Sequence, residues 1–213
     1  MKISPKRKAR IEEAVARRQF DLTVVLEHIT DGHNIGAILR SCESVGITSV
    51  YVIPHPDSEM RRNFILGKRT TAGSRKWLDV YHYEDIESCF LHLRENYERI
   101  YCTSLSEGAV SVFDCDLSGS TAIVVGNEKV GVSPEAEELS DGNIHIPMQG
   151  MVQSLNVSVA TSVILFEAMR QRLSKGLYDT DKGSESTQRK ALLAEYFQRH
   201  KEHYVGRKPK SPE

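Results

Sequence analysis

Apolar side chains are sparse over the first eighteen residues. Ile11, Ala14 and Val15 nevertheless share one face of a helix whose cap and first turn Ser4 and Pro5 supply. This helix is predicted to reach about Gln19. The unbroken apolar run 22–26 then reads as a strand. Ile35, Ile38, Leu39, Cys42 and Val45 recur at helical spacing until Gly46 stops the helix. Further strands are predicted at 47–53, 77–83, 100–103, 122–125 and 143–146, with helices over 86–97 and 154–173. Strands alternating with helices, several strands being apolar throughout, predict an α/β fold with a mostly parallel sheet and helices on both faces. Beyond Gly176, residues 178–186 read as a polar linker, 192–203 as an amphipathic helix and 207–213 as a loose tail.

The chain has 213 residues, enough for one domain with appendages and too few for two large cores. With 39% hydrophobic and 27% charged residues it is neither collagen-like nor wholly disordered. No window approaches the ~18 apolar residues of a spanning helix, and the charged start lacks the apolar stretch of a signal peptide. The expectation is a protein with no membrane contact. The cysteines Cys42, Cys89, Cys102 and Cys115 form no Cys-x-x-Cys pair, so no metal site is expected, and their scatter suits a reducing, cytoplasmic compartment.

The formal charge of −1 conceals a split. Residues 1–18 carry seven Lys or Arg against Glu12 and Glu13, a net of +5. Residues 171–213 carry ten basic against six acidic groups, a net of +4, which leaves −10 on the stretch between. An acidic body with basic ends suits a polyanion binder, because each phosphate contact releases a counterion; charged ends also simply keep a chain soluble. Lys6, Arg7, Lys8, Arg10, Arg17 and Arg18 are the candidate phosphate contacts. The chain thus divides into a basic helix at 1–19, a body at 20–174 and a basic extension at 175–213.

Ligands of α/β proteins sit at the carboxyl ends of strands, and three of the loops there are unusual. The first, 31–36, reads Asp-Gly-His-Asn-Ile-Gly and leads into the helix that carries Arg40. The second, 126–133, reads Gly-Asn-Glu-Lys-Val-Gly-Val-Ser. It nearly matches a triphosphate P-loop, but the position that must be Lys is Val132. No Gly-x-Gly-x-x-Gly follows a strand, which speaks against a dinucleotide enzyme, and the broken P-loop and basic ends speak against a nucleotide-dependent metabolic enzyme. The third, 146–160, reads Ile-Pro-Met-Gln-Gly-Met-Val-Gln-Ser-Leu-Asn-Val-Ser-Val-Ala.

Together, and in this order, the three loops resemble the SpoU/TrmH family of SPOUT-class, S-adenosylmethionine-dependent RNA ribose 2'-O-methyltransferases. Asn34 and Arg40 match the first motif, Gly126, Glu128 and Gly131 the second, and 146–148 with 154–160 the third. The likeness spans roughly residues 20–172. The two short extensions resemble those of the tRNA members that methylate the D-loop guanosine at position 18. Another tRNA or ribosomal RNA nucleoside is the alternative substrate, and a knotted RNA-binding module without catalysis the alternative class.

The resemblance implies a deep trefoil knot, a homodimer built through the knotted region and tRNA as partner. It implies a cofactor pocket from Thr103, Gly126, Asn127, Gly131, Ile146, Met148, Ser154, Leu155 and Asn156, in which Ile146, Met148 and Leu155 form an apolar slot. It also makes Arg40 the central catalytic residue, with Asn34 and Glu128 beside it. A guanidinium is a donor only, so its expected duty is to grip the phosphate next to the target ribose and stabilise the developing alkoxide. Glu128 is expected to hold Arg40 in place. His33 is the rival general base, and a capping histidine its ordinary alternative.

Overall fold

A computed structural model describes residues 3–55, 73–179 and 186–201. The tail 207–213 and most of the expected linker lie outside these residues, as do the last two residues of the expected helix 192–203.

In chain order the elements are α1 (Pro5–Ala16), β1 (Leu22–Glu27), α2 (Gly32–Ser44), β2 (Ser49–Ile53), β3 (Asp79–His82), α3 (Ile86–Asn96), β4 (Arg99–Thr103), β5 (Val110–Ser111), β6 (Thr121–Val125), α4 (Pro134–Leu139), β7 (Gly142–His145), α5 (Val157–Ser174) and α6 (Thr187–Lys201). A short 3-10 turn at Ser74–Lys76 precedes β3. The seven strands form one sheet in the order β3-β2-β1-β6-β4-β7-β5. Every strand pair in it is parallel. The central strands β1 and β6 are buried at every residue, which explains their continuous apolar runs. One core cluster joins a sheet face to α2 and α5, and a second joins the other face to α3 and α4.

Among the differences from the expectation, two helix boundaries have a local cause. The first helix ends at Ala16 rather than Gln19, because Arg17 has left helical geometry. The last long helix starts at Val157 rather than Ser154, since Asn156 is its cap and accepts from the Ser158 backbone N–H. Helix α4 and the two-residue β5 were not expected. Six residues opened by a Ser-Pro cap carry too few apolar positions to show a period, and two residues show none.

The two ends form one unit. Ile11 and Val15 of α1 pack against Leu192 and Tyr196 of α6, with Trp77 and Phe20 at the margin. Arg199, almost fully buried, ties α6 to Asp79 of β3, and Arg189 caps the end of α1 by donating to the Ala16 and Arg18 carbonyls. Within the body, fully buried Arg172 of α5 uses all five of its N–H groups. They reach Gln19, both the carboxylate and carbonyl of Asp21, and the carbonyls of Leu117 and Gly119.

Candidate active site

All strands point the same way, so the segments after β1, β4, β6 and β7 meet at one edge. The segment after β6 turns back on itself: Asn127 and Gly131 exchange backbone hydrogen bonds of 2.9 and 2.8 Å. Gly131 adopts φ +75°, and a Cβ on Gly126 would lie 2.2 Å from the Gly131 and Val132 backbone. Glycine at 126 therefore lets the turn close on itself. The Asn127 side chain anchors the turn to the His28 carbonyl at 2.9 Å, where the backbone has a positive φ of 54°. Beneath it the buried Glu27 carboxylate accepts from the Ser133 backbone N–H at 3.0 Å.

This turn walls a cavity of about 370 Å³, within the ~300–1,000 Å³ of small-molecule sites. Thr103, Gly126, Asn127, Gly131, Ile146, Met148, Ser154 and Leu155 all line it, as does Glu128. Asn156 alone of the expected cofactor residues does not, being used in the cap of α5 and in a contact with α2. Ser104, Leu105 and Glu137 line it without having been anticipated; none falls in the three loops singled out in the sequence. The lining suits S-adenosylmethionine. Main-chain groups of the tight turn and apolar Ile146, Met148 and Leu155 can take a flat ring, and the two carboxylates of Glu128 and Glu137 outnumber the one ammonium, Lys129, which favours a cationic ligand.

From this cavity a chain of amides leads to α2. The Ser158 backbone N–H can only donate, so Asn156 Oδ1 faces it at 2.9 Å and the Asn156 amide nitrogen turns outward. That nitrogen donates to Asn34 Oδ1 at 3.1 Å, and Asn34 in turn donates to Glu128 Oε1 at 2.5 Å. Glu128 thus holds Asn34, not Arg40 as expected: the carboxylate stands level with the first turn of α2, whereas Arg40 lies six residues further along. The cap of α2 is Asp31, whose carboxylate accepts from the His33 backbone N–H at 2.8 Å; this contact uses no atom of the His33 ring.

Arg40 is exposed, and no described residue accepts a hydrogen bond or ion pair from its guanidinium. It lines a second, larger cavity of about 930 Å³ between α1, α2, α6 and the turn before β3. Arg7, Arg10 and Lys76 line the same groove, with Trp77 at its side. Arg7 and Lys76 approach the Trp77 ring to 5.4 and 5.6 Å. Neither Lys76 nor Trp77 was singled out, although a lone tryptophan beside two cations was a readable signal.

The six expected phosphate contacts separate here. Arg7 and Arg10 face the groove. Lys6 and Lys8 are exposed on α1, and Arg17 is paired with Glu13 at 2.8 Å. Arg18 departs from the expectation, being only 2% exposed, with its guanidinium spent on the Glu43 carboxylate and on the Glu43 and Ile47 carbonyls.

Residues 21–166 match the SpoU rRNA Methylase family. The chain is 47% identical over 173 residues to a tRNA (guanosine(18)-2'-O)-methyltransferase of Thermus thermophilus, covering 81% of this chain and 87% of that one. Among solved structures, the TrmH/SpoU tRNA modifying enzyme of A. aeolicus superposes with a TM-score of 0.79 at 38% identity, over 91% of this chain and 96% of that one. The SpoU methyltransferase AviRb from Streptomyces viridochromogenes, in complex with the cofactor AdoMet, gives 0.65 at 29% identity, over 74% and 60%. The family match spans more than two thirds of the sequence and includes every loop that builds the cavity: this chain belongs to the SpoU methylase family.

Proposed function

We propose that this protein methylates the ribose 2'-hydroxyl of guanosine 18 in tRNA, with S-adenosylmethionine as methyl donor. The observation that carries the reading is the course of α2. Its first turn, at Asn34, touches the small cavity through Glu128, and its third, at Arg40, opens into the basic groove. Six residues of helix separate the two by about 9 Å, so one rigid element spans the donor site and the RNA site. The cofactor, when bound, supplies a methyl group on a positively charged sulfur. Glu128 and Asn34 fix the start of α2 against the cavity wall. Arg40 offers a planar, two-pronged donor to the phosphate beside the target ribose and to the oxygen that gains charge as its proton leaves. Arg7, Arg10 and Lys76 draw the polyanion into the groove.

The reading includes a homodimer and a knot. Val159, Phe166 and Leu173 recur every seven residues along α5 and are 48%, 52% and 51% exposed, with Met151 and Val152 exposed nearby. Such an apolar stripe suits a second copy of the chain. After β4 the chain runs out to β5 at the sheet edge and back to the centre at β6, while β7 lies between β4 and β5. A knotted path would carry the residues entering β7 through that excursion, and the bonds of Gln171 in α5 to Cys115 and Leu117 fit such a path. This strand order supports the trefoil knot. The four unpaired, buried cysteines suit a reducing cytoplasm.

Incubation with unmodified tRNA transcripts and labelled S-adenosylmethionine, followed by mapping of the methyl group, tests the assignment. The label is expected on the ribose of guanosine 18. Arg40→Lys is expected to lose at least ~10²-fold in methyl transfer, as for removal of a transition-state donor, while cofactor affinity by calorimetry stays unchanged. A Lys variant that keeps most of its rate overturns the role of Arg40.

A further inference from the structure

The groove around Arg40 contains one carboxylate, Glu43, among its described lining residues. It stands three residues after Arg40 on α2, and side chains three apart on a helix are neighbours, so an unengaged Glu43 would pair with Arg40. Arg18 prevents this. Its guanidinium, 2% exposed, donates to Glu43 Oε1 at 2.7 Å and to the Glu43 and Ile47 carbonyls at 3.2 and 3.0 Å. The Tyr196 ring of α6 lies 5.4 Å from it. Arg189 of α6 donates to the Arg18 carbonyl at 3.2 Å and so pins the same residue from the other side. Both basic ends of the chain thus meet on one arginine that cannot reach RNA.

We propose that Arg18 is a positioning residue that sequesters the Glu43 carboxylate and leaves the Arg40 guanidinium free for the substrate phosphate. The proposal rests on the reading of Arg40 given above. It turns a basic residue of the amino-terminal segment from an RNA contact into a guard of the catalytic arginine. Removing Arg18 leaves Glu43 half-buried without its partner, and the nearest cation along its own helix is Arg40. The substrate phosphate must then compete with a tethered carboxylate.

The test uses the full-length protein, unmodified tRNA transcript and saturating S-adenosylmethionine. Arg18→Gln is expected to lower the single-turnover rate of methyl transfer about tenfold or more, short of the ~10²–10³ that loss of the donor itself costs. The double variant Arg18→Gln/Glu43→Gln is expected to regain most of the rate, because no carboxylate remains to occupy Arg40. Arg18→Lys keeps a charge against Glu43 and is expected to keep most of the rate. The salt slope of tRNA binding is expected to flatten in Arg18→Gln by no more than the ~0.7–0.9 of the single phosphate contact that Arg40 gives up to Glu43, and to return to the parent value in the double variant. A double variant as slow as the single one, an Arg18→Lys as slow as Arg18→Gln, or a salt slope that stays flattened in the double variant overturns the proposal. Should Arg18→Gln fail to fold by circular dichroism, Arg18→Lys and the double variant decide alone. A parent protein that transfers no methyl group to tRNA ends the underlying reading instead, so the two failures are told apart.

Discussion

Gly126 and Gly131 occupy one turn for different reasons. A Cβ at 126 would sit 2.2 Å from backbone atoms of 131 and 132, which cannot move without opening the cavity wall. At 131 the space is open, and only the left-handed φ of +75° resists a side chain, at a cost of about 1–2 kcal/mol. Gly126→Ala is therefore expected to abolish calorimetric binding of S-adenosylmethionine with circular dichroism unchanged. Gly131→Ala is expected to lower stability while retaining more of the affinity. Behind the same turn, burial holds the His28 imidazole below its ordinary value, against the opposing pull of Glu27 and with a smaller contribution from His55. The unfolded chain then binds a proton that the folded chain refuses, so stability falls as pH drops below about 6.5 toward the lowered value. His28→Asn keeps a residue that tolerates positive φ and removes the titration. Its melting temperature is expected to fall less than the parent's between about pH 7.5 and 5.5. An equal fall in both would place the pH sensitivity elsewhere.

Among the elements, α5 has two unlike faces. One packs on α2, where the Ser41 and Ser162 hydroxyls meet at 2.7 Å, and the other carries the exposed Val159, Phe166 and Leu173 stripe. Phe166→Glu puts a charge in the middle of that stripe and is expected to convert a dimer to a monomer in analytical ultracentrifugation; an unchanged mass would move the interface elsewhere. Most of the strands were legible in the sequence because β1 and β6 are buried on both sides and so appear as unbroken apolar runs. The cofactor loops were legible because main-chain turns demand fixed residues, as Gly126 does. The pairing of Glu128 with Asn34 was not legible, since it joins residues 94 positions apart whose nearness depends on strand order. Nor was the burial of Arg18, because a run of basic residues looks the same whether its charges face water or a carboxylate. Arg172 and Arg199 hide in the same way, as internal struts within a segment whose net charge suggested surface contacts.

At the scale of the whole molecule, the basic ends act together, because α1 and α6 share one small core and wall one groove. Removing residues 1–16, which spares Arg18, is expected to weaken tRNA binding. It is also expected to flatten the salt dependence by up to ~0.7–0.9 in slope for each phosphate that is no longer neutralised. Cofactor affinity is expected to hold, since no residue of α1 lines the small cavity. An unchanged slope would make the charge split a matter of solubility alone. The groove also contains the chain's single tryptophan. Trp77 lies 5.4 Å from the Arg7 guanidinium of α1 and 5.0 Å from the Tyr196 ring of α6, and its carbonyl accepts the Tyr196 hydroxyl. Its ultraviolet emission therefore comes from one known place, the seam where both termini meet the body. The protein carries an intrinsic optical gauge of whether its ends are docked, readable without a label when excitation is kept to the long-wavelength edge, where the sheet tyrosines Tyr51, Tyr81 and Tyr101 do not absorb.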